Sequence, residues 1–132
     1  MEKMKTQALK MTNNTFNTLP WHDSILKSVN IDRSNPGIND IITMIIEWNS
    51  GLQSKLTFKD VYFVNMEWNF GVIAEESILD AEILDDNDEE LYRIKEKWKK
   101  FHDKSSNICG YQIITASTGS KIRIFAISFL IE

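Results

Sequence analysis

The alternation of apolar and polar residues from Lys55 to Phe70 restricts the fold of this chain more than any other feature of its sequence. Polar residues fill most odd positions, as in a strand with one buried face. The apolar even positions are Leu56, Phe58, Tyr62, Val64, Met66, Trp68 and Phe70. At about 3.3 Å per residue the segment would span roughly 53 Å, which is too long for a straight strand in so small a domain. The sequence therefore predicts a bent, bulged or divided strand.

Asp60 is the only residue that interrupts the apolar face of this segment. A carboxylate in a core is costly unless it is paired, whereas at a β-bulge it could accept backbone N–H groups. We therefore predict that the strand breaks at Asp60. The functional alternative is a buried acid with a raised pKa that acts as a general acid.

Shorter alternating segments predict the remaining strands of an antiparallel sheet. They cover residues 25–31, 42–48, 79–83, 111–116 and 121–131. The last segment is apolar on both faces from Phe125 to Ile131 apart from Ser128. A strand of this kind belongs in the middle of a sheet that is covered on both sides.

One helix is predicted over residues 88–103. Its apolar stripe consists of Leu91, Ile94, Trp98 and Phe101, and Asn87 with Glu90 can form a capping box at its start. Because a single helix covers only one face of a sheet, the other face needs a different cover. We expect an α+β fold in which a strongly curved antiparallel sheet, folded partly on itself like an open barrel, carries one long helix on one face.

The length of 132 residues fits one domain, and 42% hydrophobic with 26% charged residues is the composition of a folded globular protein. We assign residues 19–132 to a single α+β domain and residues 1–18 to a loosely ordered N-terminal segment. That segment has no continuous apolar stretch, so neither a secretory signal nor a membrane anchor is expected and the predicted location is cytoplasmic.

The densest group of chemically versatile side chains is Trp21-His22-Asp23-Ser24. Sequence neighbours are poorly placed to form a catalytic relay, because successive side chains of a strand point to opposite faces. We therefore assign no catalytic residue, and expect Trp21 to lie in the core and His22 to anchor a turn. The alternative is a pocket in the curved sheet of a small-molecule-binding or hydrolytic protein. Its lining would be Trp21, His22, Asp23, Asp60, Tyr62 and Trp68.

No cofactor or metal ion is predicted. Walker and dinucleotide-binding motifs do not occur, and Gly119-Ser120-Lys121 lacks the upstream glycine of a phosphate loop. His22, His102 and Cys109 are too few for a standard structural zinc site unless carboxylates join them.

Acidic residues are concentrated between residues 75 and 90. The segment has nine acids and no lysine or arginine, so the formal net charge of −4 combines a −9 segment with a +5 remainder. Such a surface attracts cationic partners and repels nucleic-acid phosphates. The predicted partner-binding residues are Glu75, Glu76, Asp80, Asp85, Asp86, Asp88 and Glu89. The alternative is that these acids only favour the helix start and solubility.

Several segments resemble small uncharacterised bacterial proteins, some of which are similar to immunity proteins of polymorphic toxin systems. They are Leu19-Pro20-Trp21-His22-Asp23-Ser24, Asp32-Arg33-Ser34-Asn35-Pro36-Gly37, Phe58-Lys59-Asp60-Val61-Tyr62, Asn69-Phe70-Gly71-Val72-Ile73-Ala74 and Ser117-Thr118-Gly119-Ser120. The resemblance implies a non-enzymatic protein that neutralises a toxin by binding it, often through an acidic surface.

The leading hypothesis is thus a cytoplasmic, non-enzymatic protein-binding module, an immunity protein that neutralises a basic protein such as a toxin. Neither a nucleic acid nor a membrane is an expected partner. Besides the pocket alternative, a third possibility is a subunit that forms a homo-oligomer through an open sheet edge.

Overall fold

A computed structural model of the chain describes residues 9–10 and 13–132. The strands are β1 (Leu9–Lys10), β2 (Ile25–Asp32), β3 (Ile41–Glu47), β4 (Gln53–Glu67), β5 (Glu76–Ile83), β6 (Cys109–Thr115) and β7 (Lys121–Ile131). The helices are α1 (Asn13–Thr18), α2 (Glu89–Trp98) and a 3₁₀ helix (Asp103–Asn107). The predicted α+β class with a curved antiparallel sheet is confirmed, and each predicted strand segment overlaps an observed strand.

The pairings of the strands β7, β4, β3, β2, β5 and β6 form a closed circuit. The sheet order is β1-β7-β4-β3-β2-β5-β6, and β7 also pairs with β6. Within this circuit the β2–β5 ladder is the shortest, because it joins only Ile25 with Ser77 and Leu26 with Glu76. Beyond Leu26, no other strand of the described chain pairs with this edge of β2.

The break in the long strand falls at Asp60, as predicted. Asp60 has a φ of 55°, a left-handed conformation that aspartate tolerates better than most residues. The register between β4 and β7 then shifts by one residue between Val61 and Phe63. The Asp60 side chain is exposed, so the buried carboxylate that the general-acid alternative requires is not there.

Phe16 of α1 lies at the centre of the main core, fully buried. Its ring centroid is 5.1 Å from those of Tyr111 and Phe129 and 4.9 Å from that of Trp21. Residues 13–18 of the segment predicted to be loosely ordered thus form a helix whose buried aromatic ring packs against the sheet. Residues 1–8, 11 and 12 of that segment lie outside the described residues.

A second, smaller core lies between α2 and the other face of the sheet. Leu91 and Ile94 pack there with Leu84, Ile108 and Phe125. Ile124 and Ala126, the neighbours of Phe125, belong to the main core, so this part of β7 is covered on both faces as its sequence predicts.

The predicted long helix over residues 88–103 is wrong in its length. The α-helix ends at Trp98, whose carbonyl oxygen accepts hydrogen bonds from the amides of both Phe101 and His102 at 3.0 Å. The resulting turn brings the His102 ring to 5.4 Å from the Trp98 ring, and it leaves Phe101 exposed. The predicted capping box is replaced by Asp88, whose carboxylate accepts a hydrogen bond from the Leu91 amide at 3.1 Å.

Among the described residues, no helix is both long and apolar enough to span a membrane.

The backbone conformation of Asp60 predicts how substitutions there affect stability. Asp60→Val should lower the free energy of unfolding by about 1–3 kcal/mol, because a β-branched residue is strained at positive φ. Asp60→Gly should stay within about 1 kcal/mol of the wild type, because glycine adopts this conformation freely. Urea denaturation measures both values. A valine variant as stable as the glycine variant would contradict the left-handed conformation.

Candidate functional site

A groove of about 540 Å³ lies beside the bend of β4. Its lining comes from the end of β2, the β2–β3 loop, the segment from Asp60 to Val64, and the end of α2 with the turn that follows it. Tyr62, Trp98 and His102 form an aromatic wall of this groove. The ring centroids are 5.6 Å apart for Tyr62 and Trp98 and 5.3 Å apart for Tyr62 and His102.

Two of the three carboxylates that line the groove accept hydrogen bonds from residues of the β2–β3 loop. Asp40 accepts hydrogen bonds from the Gly37 amide at 2.9 Å and from Arg33 Nε at 2.8 Å, and these contacts lower its pKa. The Ser34 amide donates to Asp32 at 2.8 Å and lowers the pKa of that carboxyl. These hydrogen bonds fix the loop that forms one side of the groove.

The third carboxylate, that of Asp60, has no hydrogen-bond or ion-pair partner within the described part of the chain. It lies close enough to Tyr62 to act on it electrostatically: burial raises the pKa of the Tyr62 hydroxyl, and the negative charge of Asp60 raises it further. The groove therefore presents one uncommitted negative charge next to its aromatic wall.

A second exposed feature is the apolar loop between β4 and β5. Phe70, Val72 and Ile73 have 82%, 46% and 102% of their surface exposed. The base of this loop is fixed, because Asn69 Nδ2 donates to the carbonyl oxygens of Thr118 and Gly119 at 2.9 and 3.1 Å. The loop thus holds apolar side chains in water on an anchored backbone.

Four of the five segments for which the sequence analysis predicts a resemblance meet in pairs. Residues 32–37 and 58–62 contribute to the groove. Residues 69–74 and 117–120 meet at the apolar loop, where Ser117 Oγ also donates to the Glu75 carbonyl oxygen. The quoted segments are therefore concentrated around the two exposed features.

The predicted acidic surface is divided by the fold. Glu75 and Glu76 lie at the start of β5, next to the apolar loop, where Lys27 Nζ is 3.4 Å from Glu75 and Thr118 Oγ1 donates to Glu76 at 2.7 Å, and Asp80 lies midway along the strand. The other members lie beyond the opposite end of β5, which is about 23 Å from Glu76 along an extended strand of about seven residues. They are Asp85, Asp86, Asp88 and Glu89.

Asp88 takes part in a network that attaches α2 to the sheet. Arg123 Nη1 of β7 lies 3.1 Å from both Asp88 Oδ1 and Glu90 Oε1, and its Nε donates to Gln112 Oε1 at 2.8 Å. The side chains of Arg123, Asp88 and Glu90 are only 16%, 17% and 15% exposed. Burial opposes ionisation of Asp88, but hydrogen bonds from the Leu91 amide and Arg123 outweigh it and lower the pKa. Asp88 is therefore unsuited to the partner-binding role that the sequence assigned to it.

The alternative pocket predicted from the sequence is not assembled. Asp60 and Tyr62 line the groove, whereas Trp21, His22 and Asp23 precede β2, whose opposite end reaches the groove. Trp21 is 3% exposed and donates through Nε1 to the Phe16 carbonyl oxygen. Trp68, the last member, packs partly buried against the main core.

The Trp21–Ser24 tetrapeptide forms a turn that covers the edge of β5. Ser24 is fully buried and its Oγ donates to the Trp21 carbonyl oxygen at 2.6 Å, while His22 Nδ1 lies 3.1 Å from the Leu79 carbonyl oxygen. Asp23 adopts a φ of 67° in this turn. The Ser24 hydroxyl is therefore inaccessible as a nucleophile, and its hydrogen bond stabilises the backbone of the turn.

Sequence reasoning missed the exposed residues of the apolar loop and most of the groove. The alternation predicts a strand that extends to Phe70, although Val72 and Ile73 on the other side of Gly71 break the pattern. That break was the available signal. The meeting of Trp98 and His102 with Tyr62 had no sequence signal, because it depends on where α2 ends.

Comparison with protein-family models, with curated proteins and with solved structures finds no match for this chain. Across the described residues, no group of three or more His, Cys, Asp or Glu side chains could hold a metal ion.

The Arg123 network predicts a pH-dependent loss of stability. Arg123→Met should lower the free energy of unfolding by about 2 kcal/mol at pH 7, because it leaves Asp88 and Glu90 without their countercharge. Asp88 stabilises the fold above its ordinary pKa of about 3.9 and loses that contribution as the pH falls through its lowered pKa. The difference in the free energy of unfolding between Arg123→Met and the wild type should therefore become smaller below about pH 4.

Arg93→Met is the matched control, because Arg93 is exposed on α2 and has no partner among the residues described. Its effect should stay within about 0.5 kcal/mol. Urea denaturation between acid and neutral pH gives all three stabilities. Equal stability of the two methionine variants would contradict the network.

Proposed function

We propose that this chain is a non-enzymatic protein-binding module and that its partner is a basic protein. The contact surface, called here the tip surface, comprises Phe70, Val72, Ile73, Glu75, Glu76 and Asp80. The resemblance of the sequence to immunity proteins favours a toxin as the partner and neutralisation by binding as the biological role.

The observation that carries the proposal is the exposure of three apolar side chains on one anchored loop. Fully burying such a side chain contributes about 1.5–3 kcal/mol, and leaving it in water forgoes that stabilisation. The hydrogen bonds of Asn69 to the β6–β7 turn hold the backbone, so little conformational entropy is lost when a partner covers the loop. An aromatic and two aliphatic side chains held in this way are suitable central anchors of an interface.

The charges beside the loop support a basic partner. Asp80 is exposed and has no ion pair within the described chain, and Glu75 is exposed beside a single lysine. Leu79, 47% exposed, lies between them on β5. Acids around an apolar centre steer a cationic protein toward the surface and disfavour neutral or acidic ones.

The proposed surface includes only some of the acids that the sequence hypothesis assigned to partner binding. Glu75 and Glu76 adjoin the apolar loop and are retained, together with Asp80 midway along β5. Asp85, Asp86 and Glu89 lie beyond the far end of β5, and Asp88 binds Arg123.

A capture experiment tests this proposal with matched surface variants. The tagged wild type is incubated with lysate of its source organism, and bound proteins are quantified by mass spectrometry. The double variant Phe70→Ser/Ile73→Ser should capture at least about tenfold less of a basic protein than the wild type does. The reason is that a loss of about 1.4 kcal/mol of binding free energy corresponds to a factor of ten in affinity. Leu52→Ser is the control, because Leu52 is 72% exposed in the β3–β4 turn, outside the tip surface.

Charge is tested separately with Glu75→Gln/Asp80→Asn, which should weaken capture and reduce its dependence on salt. Thermal unfolding must show that every variant folds like the wild type. A partner retained equally by the wild type and the Phe70→Ser/Ile73→Ser variant would contradict the tip surface. Capture of acidic proteins alone would contradict the proposed chemistry of the partner.

A further inference from the structure

We propose that the groove beside Asp60 binds a small organic cation, an alkylammonium group carried on an apolar body. The groove shares no residue with the tip surface, so this inference goes beyond the proposed function and does not depend on it. Its volume of about 540 Å³ is within the range of small-molecule sites, about 300–1,000 Å³.

The aromatic wall provides the first reason for a cation. Tyr62, Trp98 and His102 all line the groove, and each ring lies within 5.6 Å of the other two, centroid to centroid. The faces of Tyr and Trp rings are electronegative and attract ammonium groups. Lys97 Nζ lies 5.6 Å from the centroid of the Trp98 ring, which is within the range of a cation–π contact.

The charge of Asp60 provides the second reason. Its carboxylate has no partner among the residues that the structure describes, and its left-handed backbone holds it in the lining of the groove. Asp60 and Tyr62 both line the groove, and burial together with the negative charge of Asp60 raises the pKa of the Tyr62 hydroxyl. A ligand with an ammonium group would meet a countercharge and aromatic rings at one place.

The remaining charged groups of the groove do not reverse this preference. Arg33 forms an ion pair with Asp40 at 2.8 Å. The other charged side chains of the lining are the carboxylates of Asp32 and Asp60 and the exposed ammonium group of Lys104. Apolar contacts for the body of the ligand come from Phe63, Val64 and Ile127 in the same lining. Among its lining residues the groove thus combines apolar side chains with three carboxylates and two cationic groups, Arg33 and Lys104.

Binding is tested by nuclear magnetic resonance with choline and its neutral carbon isostere, 3,3-dimethylbutan-1-ol. Choline should produce saturable shifts of the Trp98 indole resonance and the Asp60 and Tyr62 amides, with a Kd on the order of millimolar. The two probes have the same shape, so a Kd at least about fivefold weaker for the alcohol isolates the contribution of the charge.

Asp60→Asn removes the charge, and asparagine tolerates the same left-handed backbone. This variant should weaken choline binding at least about fivefold. The control is Asp80→Asn, which removes an uncommitted carboxylate outside the groove and should leave the Kd unchanged. Trp98→Leu should weaken choline binding to a similar extent because the face of the indole ring is lost.

Three results would overturn the inference. The first is no shift of these resonances at about 100 mM choline, which excludes a site of millimolar affinity. The second is equal affinity for choline and the neutral alcohol. The third is preferential binding of benzoate, which would make the groove an anion site built on Arg33, His102 and Lys104.

Discussion

The bend of β4 at Asp60 is the constraint on which the rest of the structure depends. Up to Lys59, β4 pairs with β3 on one edge and β7 on the other. From Val61 onward it keeps β7 and leaves β3, apart from a hydrogen bond of the Val61 amide to the Asp40 carbonyl oxygen. A straight strand of this length could not remain within so small a domain. The bend lets β7 pair with both β4 and β6, which returns the pairings to β5 and β2.

Both exposed features follow from this departure of β4 from β3. The space beside the diverging strand is the groove, and the turn after α2 supplies its other wall. Past the bend, β4 continues to Glu67 and leads into the loop that displays Phe70, Val72 and Ile73. A small molecule would thus meet the protein at the bend, and a protein partner would meet it at the end of the same strand.

The sequence predicted what depends on local pattern and missed what depends on distant partners. Alternation located the strands, and the single acid at position 60 located the bend, because each signal lies within one segment. The end of α2 was missed because Phe101 fits the helical stripe, whereas the turn after Trp98 places His102 against Trp98 and Tyr62 of a distant strand. Arg123 is 35 residues from Asp88, so the reason why Asp88 is not a free surface acid could not be read from its neighbours. Phe16 was missed for a similar reason, because polar residues surround it in sequence and two of its aromatic neighbours, Tyr111 and Phe129, come from β6 and β7.

The register of β4 against β7 beyond the bend tests this account most directly, and cross-strand nuclear Overhauser effects measure it. The account predicts a contact between Met66 and Ile122, after the one-residue shift that follows Asp60. If β4 ran on without that shift, the register that pairs Phe58 with Phe129 would instead place Met66 opposite Lys121. Contacts between Met66 and Lys121 as direct partners would show a continuous strand and would contradict the bend, the groove and the returning pairings together.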